Sequence, residues 1–222
     1  MIHFMKVVFA IVWKDILIEV RTKDIVISVL IFALLVLAIF NFAINPTSQT
    51  IAFVAPGILW VAVTFGGILG MNRAFFNEKE NGAIYGLMSS PVSKECIFFG
   101  KMGSSLLFML LIEAVVFPVF AVFYNFSLLV PVLIPVIVLV TVGLTCVGTL
   151  FSSMMINVRS REIMLPVLFF PMVVPLIIAG VEVTTLSVQE GSVYSKWIPF
   201  LLVFDAVVLV LAPLAFTYVL EE

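Results

Sequence analysis

Apolar runs of about twenty residues, broken by short polar stretches, recur six times along the chain, and a helix needs about that length to cross about 30 Å of hydrocarbon. The pattern predicts membrane-spanning helices at about 25–44, 51–71, 102–124, 129–156, 163–181 and 198–219. The first run, IVISVLIFALLVLAIFNFAI, is interrupted only by Ser28 and Asn41. Ahead of it, Trp13, Ile16, Leu17 and Val20 recur at helical spacing, while Lys14, Asp15, Glu19, Thr22 and Lys23 fall on another face. Residues 1–24 therefore predict a helix lying in the membrane interface, with packing on its own bundle as the alternative. Its apolar run is short, charges follow at once and no small-residue cleavage site is present, so a retained segment rather than a signal peptide is expected.

Composition agrees with the pattern: 64% of the 222 residues are hydrophobic, 11% are charged and the mean hydropathy is +1.31. A typical soluble domain is about half apolar and a quarter charged. The fold class expected is all-α, one polytopic transmembrane domain over residues 1–222, with no nucleic-acid partner and membrane lipid as its surroundings. Lys and Arg set orientation, because they stay on the cytoplasmic side during insertion. Lys6, Lys14, Arg21 and Lys23 precede the first span, Arg73, Lys79, Lys94 and Lys101 follow the second, Arg159 and Arg161 follow the fourth, and only Lys196 lies on the other side. Both termini are accordingly expected in the cytoplasm, and residues 72–101 form the largest cytoplasmic loop. Cys96 and Cys146 read as free thiols.

Several chemistries lack their residues. The nearest approach to a phosphate-binding loop, ECIFFGKMG, has Glu95 for the first glycine and Met102 for the hydroxyl residue. His3 is the sole histidine, so no His-based metal site or relay is expected inside the membrane. No hydrolytic constellation is present, and the chain reads as a non-catalytic membrane subunit with no metal or cofactor of its own. Two carboxylates do fall within spans: Glu113 near the middle of the third and Asp205 in the outer half of the sixth. Ionisable groups there are functional candidates by default, against the plainer reading of hydrogen-bonded helix glue. Gly66 and Gly70 form a GxxxG pair, and Pro56, Pro166, Pro171 and Pro175 lie inside spans, where each removes a backbone donor.

In the polar loop, Asn77 with Glu80 has the spacing of a capping box, and Ile84, Leu87 and Met88 then form an apolar patch before Pro91 ends the element. Residues 77–91 thus predict a short cytoplasmic helix, with Ser93 capping the next one. Its greasy patch between charges suits a groove on another protein.

The stretch APGILWVAVTFGGILGMNRAFFNEKENGAIYGLMSSPVS, residues 55–93, resembles the CcmB family, the haem exporter protein B membrane subunits of cytochrome c maturation transporters, within the ABC-2-type permeases. Ala55, Pro56, Gly57 and Trp60 open the second span, Arg73 and Phe75 lie at its end, and Asn81-Gly82, Leu87-Met88 and Ser90-Pro91 follow. Asn72 stands where the family usually has Glu. The resemblance implies a permease paired with a separate ATPase subunit, CcmA, which binds the ATP, and working with CcmC, CcmD and the haem chaperone CcmE in the bacterial inner membrane. Haem is the implied cargo, moved directly or released with its chaperone. The loop helix would couple to the ATPase through Glu80, Gly82, Ile84, Leu87, Met88 and Pro91, and segment 182–197, with Glu182, Glu190, Tyr194 and Trp197, would hold short re-entrant or interfacial helices. An ABC-2 exporter of a lipid, glycan or drug, an ion-coupled secondary transporter using Glu113 and Asp205, and a non-transporting assembly scaffold are the competing readings.

Overall fold

A computed structural model describes residues 2–44, 48–125, 133–155, 158, 160–189 and 196–219. The described residues form eight helices: α1 (Ile2–Thr22), α2 (Asp24–Ala43), α3 (Ser48–Glu80), α4 (Ala83–Met88), α5 (Lys94–Tyr124), α6 (Leu133–Met154), α7 (Arg161–Gln189) and α8 (Trp197–Val219). Six of these, all but α1 and α4, are long and apolar enough to cross a membrane.

Helix α6 is the central post, packed against α3, α5, α7 and α8. It turns small residues to its neighbours: a Cβ on Gly148 would collide with Met71 of α3, and one on Gly143 with Leu176 of α7. In lipid the hydrophobic effect does not press helices together, so close approach and van der Waals contact must hold them. Gly66 and Gly70 act in this way, since a Cβ on either would come within 2.9 and 3.1 Å of Val29 on α2. Helix α2 answers with one buried stripe, Val29, Ala33 and Leu37, while Ile31, Leu35 and Ile39 point outward on the face a bilayer would cover.

Helix α1 packs along α5. Its outward face carries Phe9, Trp13, Leu17 and Val20, and its polar side chains Asp15 and Glu19 turn toward the bundle. The chain enters α2 through Lys23, which has a left-handed backbone (φ 58°). No side chain of Lys23 caps α2; Glu19 does so from α1, accepting from the Ile25 and Val26 N–H groups at 3.0 and 2.8 Å. Those are donors that a helix start leaves unpaired, and a carboxylate is favoured there.

Three sequence expectations need correction. Helix α3 runs unbroken to Glu80, so Asn77 lies inside it and does not begin a new helix. The loop helix is α4 alone, six residues beginning at Ala83, rather than 77–91. Helix α5 starts at Lys94, as expected of a helix that follows Ser93 and runs into the third span, and it holds Lys101 within it. Helix α7 continues through Pro166, Pro171 and Pro175 to Gln189, so residues 182–189 extend the fifth span and form no separate re-entrant element; Glu190 and Tyr194 lie outside the described residues.

Candidate functional site

At the end of the bundle rich in basic residues, α3 and α5 carry α4 between them. The first turn is made by backbone geometry: Asn81 N–H donates to Asn77 O, Gly82 N–H donates to Lys79 O, and Gly82 has φ +68°, a conformation glycine adopts without cost. A Cβ on Gly82 would meet nothing within 4 Å, so its role is conformational and not close packing. The second turn follows Met88, where Ser90 Oγ donates to Leu87 O at 2.6 Å ahead of Pro91. Ser93 stands at the start of α5 without capping it through its side chain; its hydroxyl lies 3.1 Å from Cys96 Sγ. Leu87 is half-buried against the core, Gly86 is exposed with open space about it, and the side chains of Ile84 and Met88 lie outside the described residues. Glu80 is exposed at the end of α3.

Beside α4, four charged residues from three helices meet. Lys101 of α5 donates to both oxygens of Asp15 at 3.1 and 2.9 Å and pairs with Glu78 of α3, while Lys14 pairs with the same Glu78 and with Asp15 at 3.1 Å. Ser104 Oγ also donates to Asp15, at 2.8 Å. Burial opposes ionisation of Asp15, but the nearby Lys101 and Lys14 ammoniums and the Ser104 hydroxyl outweigh it and hold the carboxyl below its ordinary value. Burial likewise disfavours the Lys14 ammonium, and Glu78 and Asp15 reverse that and raise it. This latch fastens α1 to the bundle. Read locally, Lys14 and Asp15 look like a solvated helix face and Glu78 and Lys101 like loop charges. The pairs from α1 join residues 64 and 86 apart, and Lys101 lies 23 residues from Glu78, beyond any helical spacing rule.

Inside the membrane span, Glu113 is 2% exposed and sits on Thr141 of α6, with Oγ1 2.8 and 2.9 Å from the two carboxyl oxygens. Thr141 Oγ1 is also 2.7 Å from Ile137 O. A hydroxyl has one proton; the arrangement is fully satisfied when Thr141 donates to Ile137 and accepts from a neutral Glu113. Asp205 of α8 is buried beside Gly143, where a Cβ would come within 2.7 Å of its Oδ1, and neither carboxyl oxygen has a hydrogen-bond partner among the described residues. The two carboxylates thus flank α6, and the structure does not bring them together. Among the described residues no group of three His, Cys, Asp or Glu could hold a metal ion.

Ala55, Pro56 and Trp60 lie deep in the bundle. Ala55 and Trp60 are fully buried, Pro56 is inside α3, and a Cβ on Gly57 would meet nothing. Trp60 Nε1 donates to Thr184 Oγ1 of α7 at 3.0 Å, and its ring meets Phe117 of α5 edge-on at 6.1 Å. Gly180 leaves room for the indole, since a Cβ there would stand 3.1 Å from it. Arg73 is exposed and ties α3 to α2 through Ser28 at 2.8 Å. Trp60→Phe is expected to cost more than the about 1 kcal/mol of one hydrogen bond, because the lost ring also leaves a cavity beside Gly180. Thermal unfolding in detergent checks this, and an unchanged stability would show that neither the bond nor the packing of the indole holds the bundle.

Comparison with known proteins agrees with this architecture. A protein-family model described as "CcmB protein" matches residues 6–222. Relatives include "Heme exporter protein B" of Pseudomonas aeruginosa, 27% identical over 187 residues covering 84% of this chain and 83% of that one, and its counterpart in Paracoccus denitrificans, 27% identical with 84% and 85% covered. The Rhodobacter capsulatus protein of the same name is 27% identical, covering 69% of this chain and 71% of its own length. With its family match running almost from end to end, and six helices able to cross a membrane, the chain belongs to the CcmB family.

Proposed function

We propose that this chain is the permease subunit of an ABC-type haem exporter of the bacterial inner membrane, and that α4 is where a separate ATPase subunit, CcmA, grips it. The relatives' name supports the haem reading. The observation that carries the coupling role is the placement of α4: two long helices, α3 and α5, end in a two-turn element with an exposed glycine at its middle. A push on α4 moves two spans at once, and these pack on α6 and α7. CcmC, CcmD and the chaperone CcmE are the further partners of this reading. Haem, as cargo, is held mainly by them, because the sole histidine is His3 at the start of the chain.

Leu87→Asp with Met88→Asp is expected to leave the membrane level unchanged while abolishing co-purification of the ATPase and cytochrome c maturation. Anchor residues cost on the order of 2 kcal/mol or more when lost, roughly thirtyfold in affinity. Because Leu87 also touches the core, Gly86→Lys supplies the cleaner probe: its added side chain enters open space in this chain and meets an obstacle only if a partner covers α4. Retention of the ATPase at wild-type yield in both variants overturns the coupling role. Stimulation of the assembled ATPase by haem, and not by lipid, glycan or drug, separates this cargo from those of other ABC-2 permeases.

A further inference from the structure

Helix α8 turns one stripe toward the bundle: Leu201, Asp205, Val208, Ala212 and Phe216, at helical spacing and each nearly closed to solvent. Four of the five are the apolar residues that an inward helical face calls for, and Asp205, 5% exposed, is the exception. Its place is shaped for it. Gly143 of α6 stands opposite, where a Cβ would come within 2.7 Å of Oδ1 and 2.8 Å of Leu176 on α7. A glycine there lets α8 close over the carboxyl. Yet the slot supplies no donor, since neither oxygen has a hydrogen-bond partner among the described residues.

Two plainer roles do not account for this. A buried polar group fixes the register of packed helices by pairing with a facing one, as Glu113 does with Thr141 of α6, and Asp205 has no such pair among the described residues. Helix glue needs a hydrogen bond too. What remains is an effect on the joint between α6 and α8. Closing it buries two acceptor oxygens and returns no bond, whereas parting it lets water reach them, so the carboxyl works against closure. A local rule broken without a compensating contact is the mark of a functional position.

We propose that α6 and α8 part at Asp205 and Gly143, admitting water to the carboxyl, and that Asp205 is what keeps this joint able to open. The opening stands on the packing of α8 alone; its use in a working cycle rests on the transport reading above.

A reporter lies in the joint. Cys146, one turn further along α6, is fully buried and near enough to Asp205 to interact with it electrostatically. A maleimide attacks the thiolate, which forms where water reaches, so labelling of Cys146 counts openings. The full chain in its native membranes, with Cys96→Ser removing the other thiol, is treated with N-ethylmaleimide, and the labelled fraction is followed by mass spectrometry. Asp205→Val and Asp205→Leu, two apolar replacements of different size so that one poor fit does not decide the outcome, remove both orphan oxygens. At least one of them should slow labelling about tenfold or more. Gly143→Ala, whose Cβ would press on Oδ1 and on Leu176, should speed it. Both apolar variants labelled at the native rate or faster, or Gly143→Ala labelled no faster than the native chain, overturns the inference. In cells, the more slowly labelled variant should lose most of cytochrome c maturation although its bundle is the tighter one; full maturation overturns the role in the working cycle. A native chain that supports no maturation overturns the haem reading and leaves the labelling to decide the joint.

Discussion

Glu113→Lys is expected to lose most of its membrane level, and Glu113→Gln to keep nearly all of it. The carboxyl is buried between α5 and α6 with Thr141 as its hydrogen-bond partner among the described residues, so a lysine there meets no carboxylate among them. Removing the compensation from a buried charge costs on the order of 3–5 kcal/mol, and a lysine at a span centre costs about 2.5–3.5 kcal/mol even by insertion scales. Glutamine conserves the shape and can donate to Thr141 Oγ1 as a neutral carboxyl does. Membrane level and thermal unfolding in detergent are the measurements. A tolerated lysine would mean that this part of the bundle is wet, and the two carboxylates would then merit reading as an ion path after all.

Lys101→Met carries the second large effect. Its ammonium is shared by Asp15 and Glu78, and its loss leaves two enclosed carboxylates with Lys14 alone between them. The cost expected is again on the order of 3–5 kcal/mol, read as release of α1 from α5. Adding Glu78→Gln should recover part of it, since one of the two uncompensated charges goes with it. The double variant should therefore be less harmful than the sum of the singles, by about 0.5–3 kcal/mol. Limited proteolysis within α1 together with thermal unfolding tests both statements, and strict additivity would show that the four groups do not act as one latch.

The same residues show where sequence reasoning reaches and where it stops. Six long apolar runs declared six membrane-spanning helices, because the bilayer imposes a minimum length and demands that each span satisfy its own backbone. Ala55-Pro56-Gly57 with Trp60, and the Ser90-Pro91 break, located the family and the polar connection. Helix ends fared worse. Asn77 and Glu80 have capping spacing, yet α3 passes through both, because its turns already pair those backbone groups and Gly82 supplies a better stop. Prolines in α7 did not end the fifth span early, since a bundle can satisfy freed backbone groups that an isolated helix cannot.

What the sequence alone determined is the class, the spans and the family, all of which rest on local composition and on a solvent that punishes exceptions. Only the tertiary structure decided what the charged residues do. Lys14, Asp15, Glu78 and Lys101 are polar letters near a membrane boundary until helices far apart in the chain bring them within 2.5 to 3.1 Å of one another. Glu113 and Asp205 look alike as lone carboxylates in apolar runs, and packing separates them: the first meets a threonine across α6, the second meets no donor among the described residues. Pairing energies depend on distance and on exclusion of water, and both are properties of the assembled bundle.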